Sequence, residues 1–312
     1  MTRPLVGAIL AAGQGSRIQP LSADTPKPLL PLLHQPIIGY QIQRMRALGI
    51  EEVYVVVGYF GNRLMQELGD GSRWGVELHY VEQTTRDGIG HAVSLLEPMI
   101  GDRSFVLFLG DIFFELDRIE RLRDALDDDS ADSVLAVTRE SDAAVLRRNF
   151  EVLLSDDGTV REVREKPRVV EGDIKGCGLY LFSGEIFESI RNTPRSALRG
   201  EIELTDAIQV HIDRGFRVVA AEVVERDWNI SIPRDLLELN MHLLDENGVN
   251  ACVADSVSLP GDVTIVKSVL LDGARVEPGT RLERCLVLAG ASVSSGRWKD
   301  TIFFEGGALA FE

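Results

Sequence analysis

Residues Leu5 to Leu30 read LVGAILAAGQGSRIQPLSADTPKPLL, and the opening of that stretch decides the architecture. Leu5 to Leu10 is short and continuously apolar, the pattern of a strand buried on both faces, and it runs straight into a glycine-rich turn. Similar runs recur at Val53 to Val57, Phe105 to Leu109 and Val134 to Thr138. Between them, Ile37 to Leu48 and Ile89 to Met99 carry apolar residues at helical spacing. This alternation predicts an α/β fold: a Rossmann-like, mostly parallel sheet with helices on both faces. Ligands of such sheets bind outside the carboxyl ends of the strands, so the loops after Leu10 and after Leu109 are where chemistry is expected.

Farther along, Phe150 to Phe182 alternates around a turn at Asp156-Asp157-Gly158 and predicts an antiparallel insertion. Ile230 to Asn240 is expected to become helical at Pro233, since proline is tolerated in a first turn. Beyond Asn250, the residues Leu270, Val276, Leu282 and Leu288 recur every six positions, with small residues and glycine between them. That period suits a solenoid of short parallel strands, the alternative being an ordinary β-rich tail. The expected organisation is a main domain over 1–245 and a short left-handed β-helix-like segment over 250–312, better suited to be an interface than an independent domain.

The composition sets outer bounds. The 312 residues carry 33 Lys+Arg against 49 Asp+Glu, a formal charge of −16, and 45% are hydrophobic, enough for a packed core. An acidic chain without a basic stripe repels phosphate backbones, so nucleic acid is not an expected partner. The apolar runs are too short to span a bilayer, and no membrane association is expected. The start MTRPLVGAILAAG has a weak positive end and an apolar stretch, but the stretch leads into a glycine turn and a Lys/Pro motif that read as working parts rather than a signal peptide. Cys177, Cys252 and Cys285 are odd in number and widely spaced, which fits neither a disulfide framework nor a zinc site and suits a reducing cytoplasm.

The most specific motif is Gly13 to Leu30. A glycine turn directly after a buried strand leaves backbone N–H groups uncovered, a nest for phosphate oxygens, and Arg17 and Lys27 set two cations beside it. That combination suits a polyphosphate. A dinucleotide fingerprint would need glycine at position 18, where Ile18 stands, and a Walker A loop would need Gly-Lys-Ser/Thr, which is absent. Gly110-Asp111, following FVLFL, places a carboxylate at a strand end, suited to Mg²⁺, which binds through one or two carboxylates plus substrate phosphates.

Gly13, Gly15, Ser16, Arg17, Pro20, Leu21, Ser22 and the run Pro26 to Pro31 match G-x-G-T/S-R-L-x-P-L-T followed by P-K-P-L-L-P, and the chain thereby resembles the sugar-phosphate nucleotidylyltransferases. The resemblance implies a nucleotide site at Leu10, Ala12, Gly13, Gly15 and Ser16, with Arg17 and Lys27 on the triphosphate. It implies that Asp111 binds the metal, with Asn229 in WNISIP as second ligand where the family usually has Asp. Gln83 and Gly88, in EQTTRDGIGHA, align with the base-reading loop, and an amide matches a pyrimidine imide, which favours UTP or dTTP. Glu165-Lys166-Pro167 resembles the E-K-P motif, implying that Lys166 takes the phosphate of a sugar 1-phosphate and Glu165 the sugar hydroxyls. Gly178 and Glu201 fall in segments that flank the same sugar site. Phe150-Glu151 stands where the family has aromatic-Gly, a carboxylate expected to fill space used by a hexose. The five histidines, His34, His79, His91, His211 and His242, show no ligand spacing and read as structural.

The implied reaction is attack by the sugar 1-phosphate on the α-phosphorus of dTTP or UTP, with Mg²⁺ as cofactor, glucose 1-phosphate as the favoured acceptor and pyrophosphate as leaving group. Arg17, Lys27, Asp111 and Lys166 are the expected catalytic residues. Two other readings stand beside it: a nucleotide-binding regulatory subunit without catalysis, and a cytidylyltransferase acting on a non-sugar phosphate such as phosphocholine. The solenoid-like tail predicts a homo-oligomer.

Overall fold

The computed structural model describes residues 4–128, 131–197 and 199–311. The charged start at residues 1–3 lies outside them. Two compact units divide the chain: Met1–Gln14 with Gln41–Asp227, and Gly15–Tyr40 with Trp228–Glu312.

The first unit is built on a sheet whose strands are β1 (Val6–Ala11), β2 (Glu52–Val57), β3 (Glu77–Glu82), β4 (Phe105–Leu109), β5 (Ser133–Arg139), β6 (Phe150–Leu154), β7 (Val160–Glu165), β8 (Ile174–Phe182) and β9 (Val218–Glu222). Their order is β7-β6-β8-β4-β1-β2-β3, with β5 paired to β8 and β9. The run β4-β1-β2-β3 is parallel throughout, and so is the β5/β9 pair. The insertion β6-β7-β8 is antiparallel, with its turn at Asp156–Gly158 as the sequence predicts.

Alternation sends Val6 and Ala8, Tyr54 and Val56, and Phe105 and Leu107 to one face of the sheet, where they pack with Ala92, Val93, Leu96, Ile186, Phe187, Leu204 and Ile208. On the other face, Met45 of α1 (Ile37–Ala47) fills the space over Gly7, where a Cβ would stand 2.5 Å from its sulfur. The single helix expected over Ile89 to Met99 is instead two, α2 (Ile89–Ser94) and α3 (Glu97–Ile100). Pro98 explains the break: it has no N–H to donate and is accommodated in a first turn, which α3 provides.

In the second unit α4 (Pro233–Glu246) starts at the predicted proline, and Asp235 Oδ2 accepts from Ser231 N (2.7 Å) and Ile232 N (2.9 Å) at its entrance. Beyond it lies a solenoid of short parallel strands closed by an antiparallel hairpin at Phe304 and Gly307. Three sets of strands stack in register, Ile265 on Leu282, Val269 on Leu286 and Val276 on Val293, each a step of 17 residues. The six-residue period therefore needs a correction at its last member. Leu270, Val276, Leu282, Val287 and Val293 are buried together, and Leu288 is not among them, because a 17-residue coil shortens one of its three sides. No helix among the described residues is long and apolar enough to cross a membrane.

Candidate active site

In the first unit, parallel pairing brings the carboxyl ends of β4, β1, β2 and β3 to one edge, so the segments after Leu109, Ala11, Val57 and Glu82 lie side by side. Leu10 and Ala12 are half-buried and Gly13 is exposed at this edge. Gly110 N donates to Leu10 O at 2.9 Å, which joins the two loops that the sequence singles out.

The turn carrying Asp111 is held by a residue that sequence reasoning missed. Gln41, on α1 and 2% exposed, donates through Nε2 to Leu109 O (2.9 Å) and Ile112 O (2.8 Å), bracketing Gly110-Asp111 on both sides. Its only signal in the sequence is a polar residue on the apolar side of an amphipathic helix. Gly178 sits in mid-β8, where a Cβ would stand 2.8 Å from Ile112 Cδ1 and 2.9 Å from Leu109 Cδ1, so it backs this same turn.

Gln83 follows β3, with its N–H on Val57 O at 2.8 Å. Its Nε2 lies 3.3 Å from Gly88 O and 3.1 Å from His91 Nδ1, so His91, read as structural, orients this amide. In the tautomer with its proton on Nε2, His91 accepts through Nδ1 from this amide, and Gln83 Oε1 is then the atom left to face a donor. Gly88 has φ +102°, and a Cβ on it would stand 2.5 Å from Ile202 O and 2.9 Å from Glu201 Cβ. Glycine is required on both counts. Ile202 N donates to Asp87 O (2.8 Å) and Gly90 N to Ile202 O (2.8 Å), so the Gln83–Gly88 loop and the Glu201 segment form one edge.

Beside it, Lys166 Nζ pairs with Glu165 at 3.0 Å, Arg199 NH2 approaches the same Glu165 oxygen at 3.7 Å, and Arg199 Nε reaches Glu203 at 3.4 Å. Arg199 is the second residue missed from sequence, because its meaning lies in meeting Glu165, far away in the chain. Burial, and then the neighbouring carboxylates Glu165, Glu201 and Asp206, push the Glu203 carboxyl above its ordinary range against the opposing pull of Arg199. Burial does the same to Asp206, with Glu165 adding to it. Two cations thus stand among several carboxylates, an arrangement able to hold a phosphate and hydroxyl groups together. Lys166 itself has φ +45°, a left-handed conformation that costs a side-chain-bearing residue about 1 kcal/mol or more.

Glu151 does not enter the space that the sequence assigned to it. Phe150 packs into the core and lies opposite Glu165 in the β6/β7 register, so Glu151 faces the reverse side of the sheet. It is completely buried, and Oε1 accepts from Glu171 N (2.7 Å) and Gly172 N (2.5 Å).

In the second unit Gly15 has φ +64°, and a Cβ on it would stand 3.2 Å from Lys27 Cγ and 3.4 Å from Lys27 Cδ. Glycine thereby permits both the turn and the packing of the Lys27 stem across it. Ser22 Oγ donates to Gly15 O at 2.7 Å, and Lys27 is only 6% exposed. Ser16 and Arg17, in the short turn Ser16–Ile18, are exposed, and Arg17 has no carboxylate partner among the described residues. Asn240, fully buried on α4, accepts from Leu33 N (2.8 Å) and donates to Pro31 O (3.1 Å), which pins the hairpin after Lys27-Pro28-Leu29. Asn229 is exposed and its Oδ1 accepts from Ser231 Oγ at 3.2 Å.

Among the described residues no three His, Cys, Asp or Glu side chains converge as a metal cage. In the first unit Asp111 offers a carboxylate on a turn fixed by Gln41, and in the second unit Asn229 offers an amide carbonyl. Each is a hard oxygen of the type Mg²⁺ accepts, an ion that keeps most of its coordination for phosphates and water.

A family model described as Nucleotidyl transferase matches residues 6–246. A glucose-1-phosphate thymidylyltransferase of Streptomyces griseus is 33% identical over 275 residues, covering 86% of this chain and 75% of the relative. The UTP–glucose-1-phosphate uridylyltransferase AglF of Haloferax volcanii is 32% identical over 241 residues, 76% of this chain and 96% of the relative. The crystal structure of a Bacillus anthracis protein described as a candidate glucose-1-phosphate thymidylyltransferase, in complex with a sucrose, superposes with a TM-score of 0.69 at 25% identity, over 78% of this chain and 96% of that one.

Proposed function

Since the chain belongs to the nucleotidyl transferase family, as a sugar-1-phosphate nucleotidylyltransferase that forms nucleoside-diphosphate sugars, we propose that its donor is dTTP or UTP, its acceptor glucose 1-phosphate and its cofactor Mg²⁺. The observation that carries this reading is the continuous edge from Gln83 through Gly88 to Glu201, with Lys166 and Arg199 beside it. It sets a group able to read a pyrimidine imide next to cations able to hold an acceptor phosphate.

In the proposed reaction an oxygen of the acceptor phosphate forms a bond to the α-phosphorus. The bond from that phosphorus to the bridging oxygen breaks, and pyrophosphate leaves with the electron pair. The nucleophile is already an anion, so no general base is needed; positioning and neutralisation of charge are the whole task. Arg17 and Lys27 bind the triphosphate in this reading, and Leu10, Ala12, Gly13, Gly15 and Ser16 are its other nucleotide-binding residues. Gln83 and Gly88 contact the base. Lys166, joined by Arg199, binds the acceptor phosphate, while Glu165 and Glu201 meet the sugar hydroxyls. Asp111 and Asn229 would hold Mg²⁺, which supplies neutralisation of the phosphate charge when bound. Residues 1–245 are the catalytic domain in this reading, 250–312 the solenoid through which copies associate, and the cytoplasm is where the protein works.

The test is pyrophosphate release across a matrix of nucleoside triphosphates and acceptor phosphates with Mg²⁺, run beside Lys27→Ala. The expected result is turnover with dTTP or UTP and glucose 1-phosphate, reduced about a hundredfold or more by the substitution. Silence with every pair would identify a binding-only subunit, and turnover confined to CTP with phosphocholine would identify a different acceptor class. A folded Lys27→Ala protein with near-normal release would remove Lys27 from the mechanism.

A further inference from the structure

Lys166 is held in a left-handed backbone conformation, at φ +45°, and a residue in that state persists only where its surroundings over-determine it. Resting on the reading of Lys166 as the acceptor-phosphate cation, we propose that Glu151 is a positioning residue whose buried carboxylate clamps the loop 166–172 and so keeps Lys166 presented to the acceptor.

Both ends of the loop close on one short segment, residues 149–151. At the start, Lys166 N donates to Asn149 O at 2.8 Å. At the end, Glu171 N and Gly172 N converge on Glu151 Oε1 at 2.7 and 2.5 Å. Glu151 is 0% exposed and stands in register with Arg164 on one side and Lys175 on the other, so its backbone is fixed in the middle of three strands. Arg164 adds a second link to the same loop: NH1 lies 2.7 Å from Glu171 Oε1 and 3.9 Å from Glu151 Oε2. Gly172 leaves little room to shift, since a Cβ there would be 3.1 Å from Leu153 Cδ2 and 3.6 Å from Glu151 Oε1.

Of residues 166–172, Pro167 alone is buried. Val169 at its tip is 69% exposed, and a segment with few buried contacts opens locally unless its ends are tied. Hydrogen bonds from backbone N–H groups to a buried carboxylate are among the stronger ties available. The Glu151 side chain, on the face away from Phe150 and Glu165, therefore acts through the loop.

The experiment compares wild type, Glu151→Ala, Glu151→Gln, Arg164→Gln and Lys166→Ala in the full chain, reading KM for glucose 1-phosphate, KM for the triphosphate, and hydrogen exchange over 166–172. Glu151→Ala is expected to raise the acceptor KM about tenfold with the triphosphate KM nearly unchanged, the split that loss of acceptor positioning produces. Exchange at Glu171 and Gly172 should quicken. Glu151→Gln keeps an acceptor oxygen and should stay within about threefold of wild type on both readouts. Faster exchange with an unchanged acceptor KM would make Glu151 merely structural and overturn the proposal, as would unchanged exchange. Should Glu151→Ala fail to fold, Arg164→Gln carries the test: a raised acceptor KM with quicker exchange over 166–172 supports the clamp, and wild-type values on either readout overturn it. Failure of Lys166→Ala to raise the acceptor KM would instead fell the underlying reading of Lys166, while hydrogen exchange in the Glu151 variants still tests the clamp itself.

Discussion

His211, on the helix Leu204–Asp213, has no solvent exposure, its Nδ1 is 2.9 Å from Ser189 Oγ, and its ring stacks on Phe216 at 4.2 Å. Its Nε2 is buried without a partner among the described residues. Burial pushes the imidazole pKa down to about 4, against the pull of Asp132. The folded pKa therefore lies below the unfolded value of about 6.5, and between the two the unfolded chain binds more protons. Stability from this group is fully present above about pH 6.5 and falls by about 3 kcal/mol as pH drops to 4. Denaturant melts of wild type and His211→Gln between pH 4 and 7 should show a shallower pH slope in the variant, and equal slopes would contradict the assignment. Single residues were singled out from the sequence where a motif marks them, as with Gly13, Gly15, Arg17, Lys27 and Lys166. Arg199 and Gln41 were not, since each acquires its role from groups that only the fold brings near.

Among the elements, the buried strands and the antiparallel insertion could be read directly, because period-two and continuous apolar runs bind register to burial. The break between α2 and α3 was missed because the apolar spacing from Ile89 to Met99 continues through Pro98. The solenoid was legible as a repeat, but a step of six cannot reveal that its coils are 17 and then 16 residues long, since a short corner alters only which residue is buried in place of Leu288. Helix α1 carries the prediction at this scale. Gln41 joins it to the β4 end and fixes the turn before Ile112, so Gln41→Leu should leave two carbonyls without that donor. The expected result is a loss of about 1–3 kcal/mol in stability and a fall in turnover. A higher Mg²⁺ concentration for half-maximal rate would accompany it. A variant with a wild-type Mg²⁺ dependence would show that the turn does not need this tie.

At the level of the whole chain, what the sequence could not show is that each compact unit is drawn from separated stretches, Met1–Gln14 with Gln41–Asp227 and Gly15–Tyr40 with Trp228–Glu312. The glycine motif is contiguous in sequence, yet its members fall in both units. The solenoid ends in the strand Gly307–Ala310, paired on one side only among the described residues, and an open strand edge is a site for pairing with another copy. Removing the residues after Asn250 should lower the number of copies per particle by light scattering, and an unchanged number would count against self-association through the tail. The central claim, transfer of a nucleotidyl group to an acceptor phosphate, is tested most directly by oxygen labelling. With glucose 1-phosphate labelled with ¹⁸O in its phosphate, dTTP or UTP and Mg²⁺, mass spectrometry should find a nucleoside-diphosphate glucose carrying label in the oxygen that bridges its two phosphorus atoms. Absence of that product, or a product with an unlabelled bridge, would contradict the account.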